Sequence, residues 1–179
     1  MVATVLINRL TGAGPTVTPI TSINTRANAA DAHTTADTAS PIEIPSAGTN
    51  YSYWVTTRLE TTVAPDNLID NIEWFTDGSN TYGTGITAKG ETATSYSIAT
   101  GTPAVTGNQL TTTSYSNMTS VPTDIFAFTT GAPNLVAGTT TGTGEFGDRM
   151  VYQVEVGTTA TAGTKPATPE TFTWRFDET

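Results

Sequence analysis

The sequence predicts an all-β protein, a β-sandwich or jelly-roll-like domain with an extended N-terminal arm, on three observations. Threonine supplies 42 of the 179 residues, and its β-branched side chain suits a pleated, half-exposed surface. Several segments alternate apolar and polar residues with the two-residue period of a strand. Between them lie clusters of Gly, Pro, Asn and Asp, with almost no helical periodicity, the pattern of short strands joined by turns. The length suits one domain with a sizeable core. Its predicted division is an arm or edge segment over 1–48 and a sandwich over 49–179.

Taken in order, residues 1–10 can form a strand, with Val5 and Ile7 alternating against Leu6. Gly12, Gly14, Pro15 and Pro19 make 11–24 an extended or edge segment. The stretch 25–41 is poor in large apolar residues and holds at most one helical turn, around Asn28–His33. An arm and an ordinary N-terminal strand with a long surface loop are both compatible with 1–48. From 51 to 60, Tyr51, Tyr53, Val55 and Leu59 share a face opposite Ser52, Thr56, Arg58 and Glu60. Trp54 interrupts that polar face and needs cover from a second layer or a partner. Over 68–76, Leu68, Ile72 and Trp74 oppose Ile69 and Phe75, a strand covered on both sides. Asp77-Gly78 opens a turn cluster. Weaker strands are expected at 85–88, 94–99 and 109–115, and stronger ones at 124–129 and 149–157. The strand at 171–177 aligns Phe172, Trp174 and Phe176 on one side, expected as core.

Charge and composition narrow the function. The net charge is −9 with only two lysines, Lys89 and Lys165. Charged residues make up 13% of the chain, against about 25% in typical soluble domains. An acidic, lysine-poor surface repels phosphate backbones and anionic lipid, so neither nucleic-acid nor membrane binding is expected. There is no cysteine for disulfide or thiol chemistry. No run approaches the roughly 18 apolar residues of a membrane span. The start, "MVATVLINRL", has neither a basic region nor a long apolar one, so a signal peptide is not expected. A hydroxyl-rich surface without export signals fits a virion protein made in a host cytoplasm and released by lysis.

Catalytic constellations are thin. The single histidine, His33, has Asp31 and Asp37 nearby for a Ser-His-Asp system, but its segment is too small and polar to position a base. Carboxylate pairs suited to glycoside hydrolysis are Glu60 with Glu73, Glu145 with Asp148, and Asp177 with Glu178; solvated faces and turns account for them. Asp66, Asp70 and Asp77 lack the spacing of an EF-hand loop. Gly-Thr-Gly at 83–85 and 142–144 lacks the Lys-Ser/Thr of a phosphate loop. Tyr51, Tyr53, Trp54, Trp74 and Tyr82 could stack on sugars, but at strand spacing aromatics serve as core. No catalytic residue, cofactor or metal site is therefore expected, and an enzyme is not.

Two stretches carry a family resemblance. "SPIEIPSAGTNYSYWVTTRLETT", followed by "IDNIEWFTDGSNTYGTGI", resembles the central part of small structural proteins of tailed-bacteriophage particles. "VYQVEVGTTATAGTKPATPETFTWRFDET" is similar to their C-terminal pair of strands. Together they span Ser40–Ile86 and Val151–Thr179. The resemblance implies a non-enzymatic virion subunit, first a capsid decoration, cement or minor head protein, alternatively a tail, neck or fibre component. A secreted carbohydrate-binding or adhesive module is the reading from a different class. The implied partners are the major capsid protein or other virion proteins, with homo-oligomers on the particle. No site residue follows from the resemblance.

Overall fold

Two antiparallel sheets face each other across an apolar core in the computed structural model, which describes every residue except Met1, Asp37, Thr38, Thr164 and Ala167. The strands are β1 (Thr4–Thr11), β2 (Thr16–Pro19), β3 (Thr49–Tyr51), β4 (Val55–Val63), β5 (Ile69–Phe75) and β6 (Ile86–Ala93). They continue with β7 (Gly101–Thr102), β8 (Thr106–Gly107), β9 (Thr123–Asp124), β10 (Asn134–Val136), β11 (Gly144–Gly157) and β12 (Thr173–Glu178). The large sheet runs β2-β1-β4-β11-β6-β9, with β3 pairing β11 beyond the end of β4; the small sheet runs β10-β5-β12, and β7-β8 is a separate ribbon. Among the described residues there is no α-helix. The all-β expectation is met.

The long strand β11 organises both faces of the large sheet. Met150, Tyr152, Val154 and Val156 point toward the small sheet, where they meet Ile69, Ile72 and Trp74 of β5. Val151 faces the other way, into a second apolar cluster with Tyr53, Trp54, Leu110 and Tyr115. This alternation is the period of a strand buried on both sides.

The strand expected at 51–60 is broken at Ser52–Trp54. Ser52 stays on β11 through its N–H to Val154 O and its Oγ, which accepts from Val154 N, whereas Tyr53 N turns away to donate to Asn28 O. The break places Tyr53 and Trp54 on the second face while Val55 and Leu59 stay on the first. The cover that Trp54 requires is the loop 94–122: its Nε1 donates to Ser97 O at 3.0 Å, and Tyr115 packs edge-on at 5.5 Å. Ser52 and Thr56, expected on a wet face, are buried beneath that loop. A second irregularity lies in β5, where Asn71 takes φ +47 and its amide donates to Asp177, at the register shift between Arg175 and Asp177 of β12.

Several local expectations give way to tertiary hydrogen bonding. Residues 94–99 and 109–115 are bends and turns, not strands. Their backbone groups are taken by side chains, Ser97 O by Trp54 and Leu110 N by Gln153. The strand expected at 124–129 shrinks to Thr123–Asp124 followed by a 3-10 turn, Ile125–Ala127, capped by the Asp124 carboxylate on Phe126 N. A strand would send Ile125 and Phe126 to opposite faces; the turn buries both in the core. No helical turn forms at 28–33, because Ala29 N donates to Ser40 O and Ala29 O accepts from Ala104 N.

Residues 4–19, within the segment expected as arm or edge, form the β1–β2 edge of the large sheet. β1 pairs with β4 along its length and buries Asn8, Arg9, Leu10 and Thr11. At the other end, Phe172 just before β12, and Trp174 and Phe176 on it, are half-buried against the core, β12 being an edge strand of the small sheet. Thr179 O accepts from the N–H groups of Asn67 and Leu68, which anchors that strand.

Candidate functional site: a cavity between the sheets

Residues of both sheets line a cavity of about 950 Å³. Ile7, Ile86, Tyr152, Val154 and Val156 of the large sheet line one side; Trp74, Trp174 and Phe172 line the other. The Phe172 ring bridges the sheets, its centroid 5.2 Å from that of Trp74 and 5.0 Å from that of Tyr152. These contacts are tilted or edge-on, the arrangement ring quadrupoles prefer. Two loop walls complete the lining, 20–27 with 41–44 on one side and 160–163, Lys165, Pro166 and 169–171 on the other.

Specific polar contacts hold each wall. The first is fastened to β1: Ile20 N donates to Ile7 O, Ile7 N to Thr21 Oγ1, and Arg9 Nη1 to both Thr25 Oγ1 and Arg26 O, at 2.6 and 2.7 Å. Arg9 is fully buried, and its Nε and Nη2 have no hydrogen-bond partner among the described residues. Burial lowers its pKa, opposed by nearby Tyr152 and Asp31. The second wall is held by Glu170, whose carboxylate accepts from Thr81 N at 2.8 Å and from Thr81 Oγ1. It also presses on Gly85 (φ +75), where a Cβ would lie 2.5 Å from Thr159 Oγ1 and 2.6 Å from Ala160 N. Only glycine fits that approach.

Two phenols lie in this lining, Tyr82 and Tyr152. Burial pushes the Tyr152 hydroxyl up to about 12, with Arg9 pulling the other way. Burial likewise raises Tyr82, reinforced by Tyr152 and Glu170. Both stay neutral near pH 7.

The residues singled out in the sequence are dispersed by the fold. His33 Nδ1 lies 3.1 Å from Thr25 Oγ1, and burial lowers its pKa. Asp31 accepts from Gly12 N at 2.8 Å, and Asp37 lies outside the described residues. Glu60 accepts from Asn8 and Glu73 pairs with Arg175, on different sheets. Glu145 pairs with Arg58 at 3.0 Å, while the neighbouring Asp148 binds through its backbone N–H to Ala137 O. Asp177 accepts from Asn71, and Glu178 accepts from Ala3 N. Among the described residues no group of three or more His, Cys, Asp or Glu is placed to hold a metal ion. Of the five aromatics weighed as a sugar platform, Trp74 and Tyr82 reach the cavity, whereas Tyr53 and Trp54 belong to the second cluster.

The cavity itself is absent from the sequence-based expectations. Its signal was the set Ile20, Ile23, Ile42 and Ile44, four large apolar residues in a segment otherwise small and polar. All four line it. Comparison with protein-family models, curated proteins and solved structures finds no match to this chain. The class defined by fold and site is thus a two-sheet all-β protein with a built apolar cavity.

Proposed function

We propose that this protein is a non-enzymatic structural subunit of a virus particle, a head decoration or cement protein that docks on the major capsid protein. The observation that carries the reading is how the frame uses its carboxylates. Glu60, Glu73, Glu145 and Glu178 each tie together residues far apart in the chain, through Asn8, Arg175, Arg58 and the Ala3 N–H. Carboxylates bound in this way brace a rigid surface. The resemblance to phage particle proteins adds support, because its two stretches supply β3, β4, β5, the second half of β11 and β12, strands on either side of the main core.

Docking would use the open sheet edges. Val17 on β2 is 44% exposed and Leu135 on β10 is 70% exposed, each on the outermost strand of its sheet. An unpaired edge offers backbone hydrogen bonds to a neighbour, and the apolar residue adds contact area. Repetition over a lattice raises occupancy without tight single contacts. Particles purified from a culture carrying the gene should hold the chain in a fixed ratio to the major capsid protein. Recombinant protein should saturate stripped particles at that ratio. Particles that lack the chain, or binding that never saturates, overturn the reading.

A further inference from the structure

The cavity opens to solvent along its loop walls, where Ile23, Ile44 and Ala162 are exposed, and its volume is about 950 Å³. That is the upper part of the range of small-molecule sites, about 300–1,000 Å³. Buried Arg9 holds one wall at two points, Glu170 holds the other, and Gly85 admits its close approach. The opening is therefore built by named contacts at both walls.

We propose that this cavity binds a neutral, largely apolar small molecule carrying one hydrogen-bonding group. The strand side chains of the lining select that class, while the charged Arg26, Glu43, Lys165 and Glu170 lie on its loop walls. Ile7, Ile86, Val154 and Val156 offer only dispersion and burial, at about 25 cal/mol per Å² of apolar surface. The rings of Trp74 and Tyr152 are tilted or edge-on against Phe172, so both are engaged in ring contacts. Ile23 and Ile44, 47% and 40% exposed, extend the apolar lining into solvent. The phenols of Tyr82 and Tyr152 hydrogen-bond to no described residue, which leaves them for the ligand's polar group. A second copy or a peptide is less suited, since the site lies between the sheets rather than along an edge.

N-phenyl-1-naphthylamine, an uncharged two-ring probe with a single N–H, tests this directly. The full chain should bind it saturably at one site, with a rise in probe emission and a rise in melting temperature, as for any ligand selective for the folded state. Val156→Trp fills the cavity and should weaken binding at least tenfold. Ala162→Trp, at an exposed lining position, should do the same without disturbing the core, so the test survives if Val156→Trp fails to fold. Tyr152→Phe should weaken binding several-fold, and Leu135→Ala, on a remote edge, should leave it unchanged. Unsaturable binding overturns the proposal, as does wild-type affinity in folded Ala162→Trp. Binding of a soluble oligosaccharide in place of the probe overturns the assigned class. None of these outcomes depends on association with virus particles.

Discussion

Glu91 on β6 is buried, and its carboxylate gathers four donors: Thr92 N and Oγ1, Ser120 Oγ and Asn134 Nδ2. Asn134 belongs to β10, so this one side chain fastens the small sheet to the large one. Burial raises its pKa, but the four hydrogen bonds together outweigh burial and hold it below the usual carboxylate range. A carboxylate whose pKa is depressed by folding stabilises above its unfolded pKa, and that stabilisation is lost as pH falls through the folded pKa. Glu91→Gln should therefore destabilise at pH 7 by roughly 1.5–3 kcal/mol, the scale of a charge-assisted hydrogen bond. The gap between variant and wild type should close as pH drops below the ordinary carboxylate range. Parallel denaturant titrations at pH 7 and pH 3 read this; a gap that persists at the lower pH would show that shape, not charge, matters at this position.

At the scale of elements, β12 is secured by the aromatics it presents. Phe172 just precedes it and touches both sheets, through Trp74 and Tyr152, whereas Phe176 packs against the same core without a ring partner among the described residues. Phe172→Ala should cost about 2–4 kcal/mol, at the low end of buried aromatic truncations because the ring is half-buried. Phe176→Ala should cost less, and chemical denaturation of the pair checks the order. The loop 94–122 depends on Trp54 in the same way. Trp54→Phe removes the donor to Ser97 O, and limited proteolysis should then cut within 94–122 several times faster than in wild type. These elements also mark what the sequence makes legible. Strict alternation disclosed β12 and β11 from Arg149 onward, since every second residue meets the same core, whereas Gly144–Asp148 was read as loop. It failed where side chains capture backbone groups: Gln153 taking Leu110 N, or Asp124 capping the turn that buries Ile125 and Phe126. The cavity stayed hidden for a related reason. Trp74, Tyr152 and Trp174 come from strands read as core, and only the loops packed beside them turn those rings into a lining.

For the whole molecule, the decisive question is whether the first 46 residues fold with the rest. The sequence suggests a detachable arm, because most of 11–41 is small, polar or proline-containing. Within the fold, β1 lies between β2 and β4, Val5 and Ile7 pack on the main core, and Leu10 is buried. Asn8 donates to Glu60, Asn28 O accepts from Tyr53 N, and Arg9 fastens the wall of the cavity. Burial of large aliphatic side chains contributes roughly 1.5–3 kcal/mol each. Several such residues together rival the 5–15 kcal/mol of net stability that holds a typical domain folded. A chain beginning at Ala47 would also leave β4 as a bare edge, its N–H and C=O groups open to pairing with another molecule. That fragment should lose the cooperative transition of the full chain and aggregate during purification, and it should bind no N-phenyl-1-naphthylamine saturably. Calorimetry and sedimentation of the fragment beside the full chain decide the matter. A soluble fragment melting within a few degrees of the full chain would make 1–46 an accessory, free to reach a neighbouring subunit. Loss of the transition would make β1 part of the frame and confine any reach across a lattice to the sheet edges.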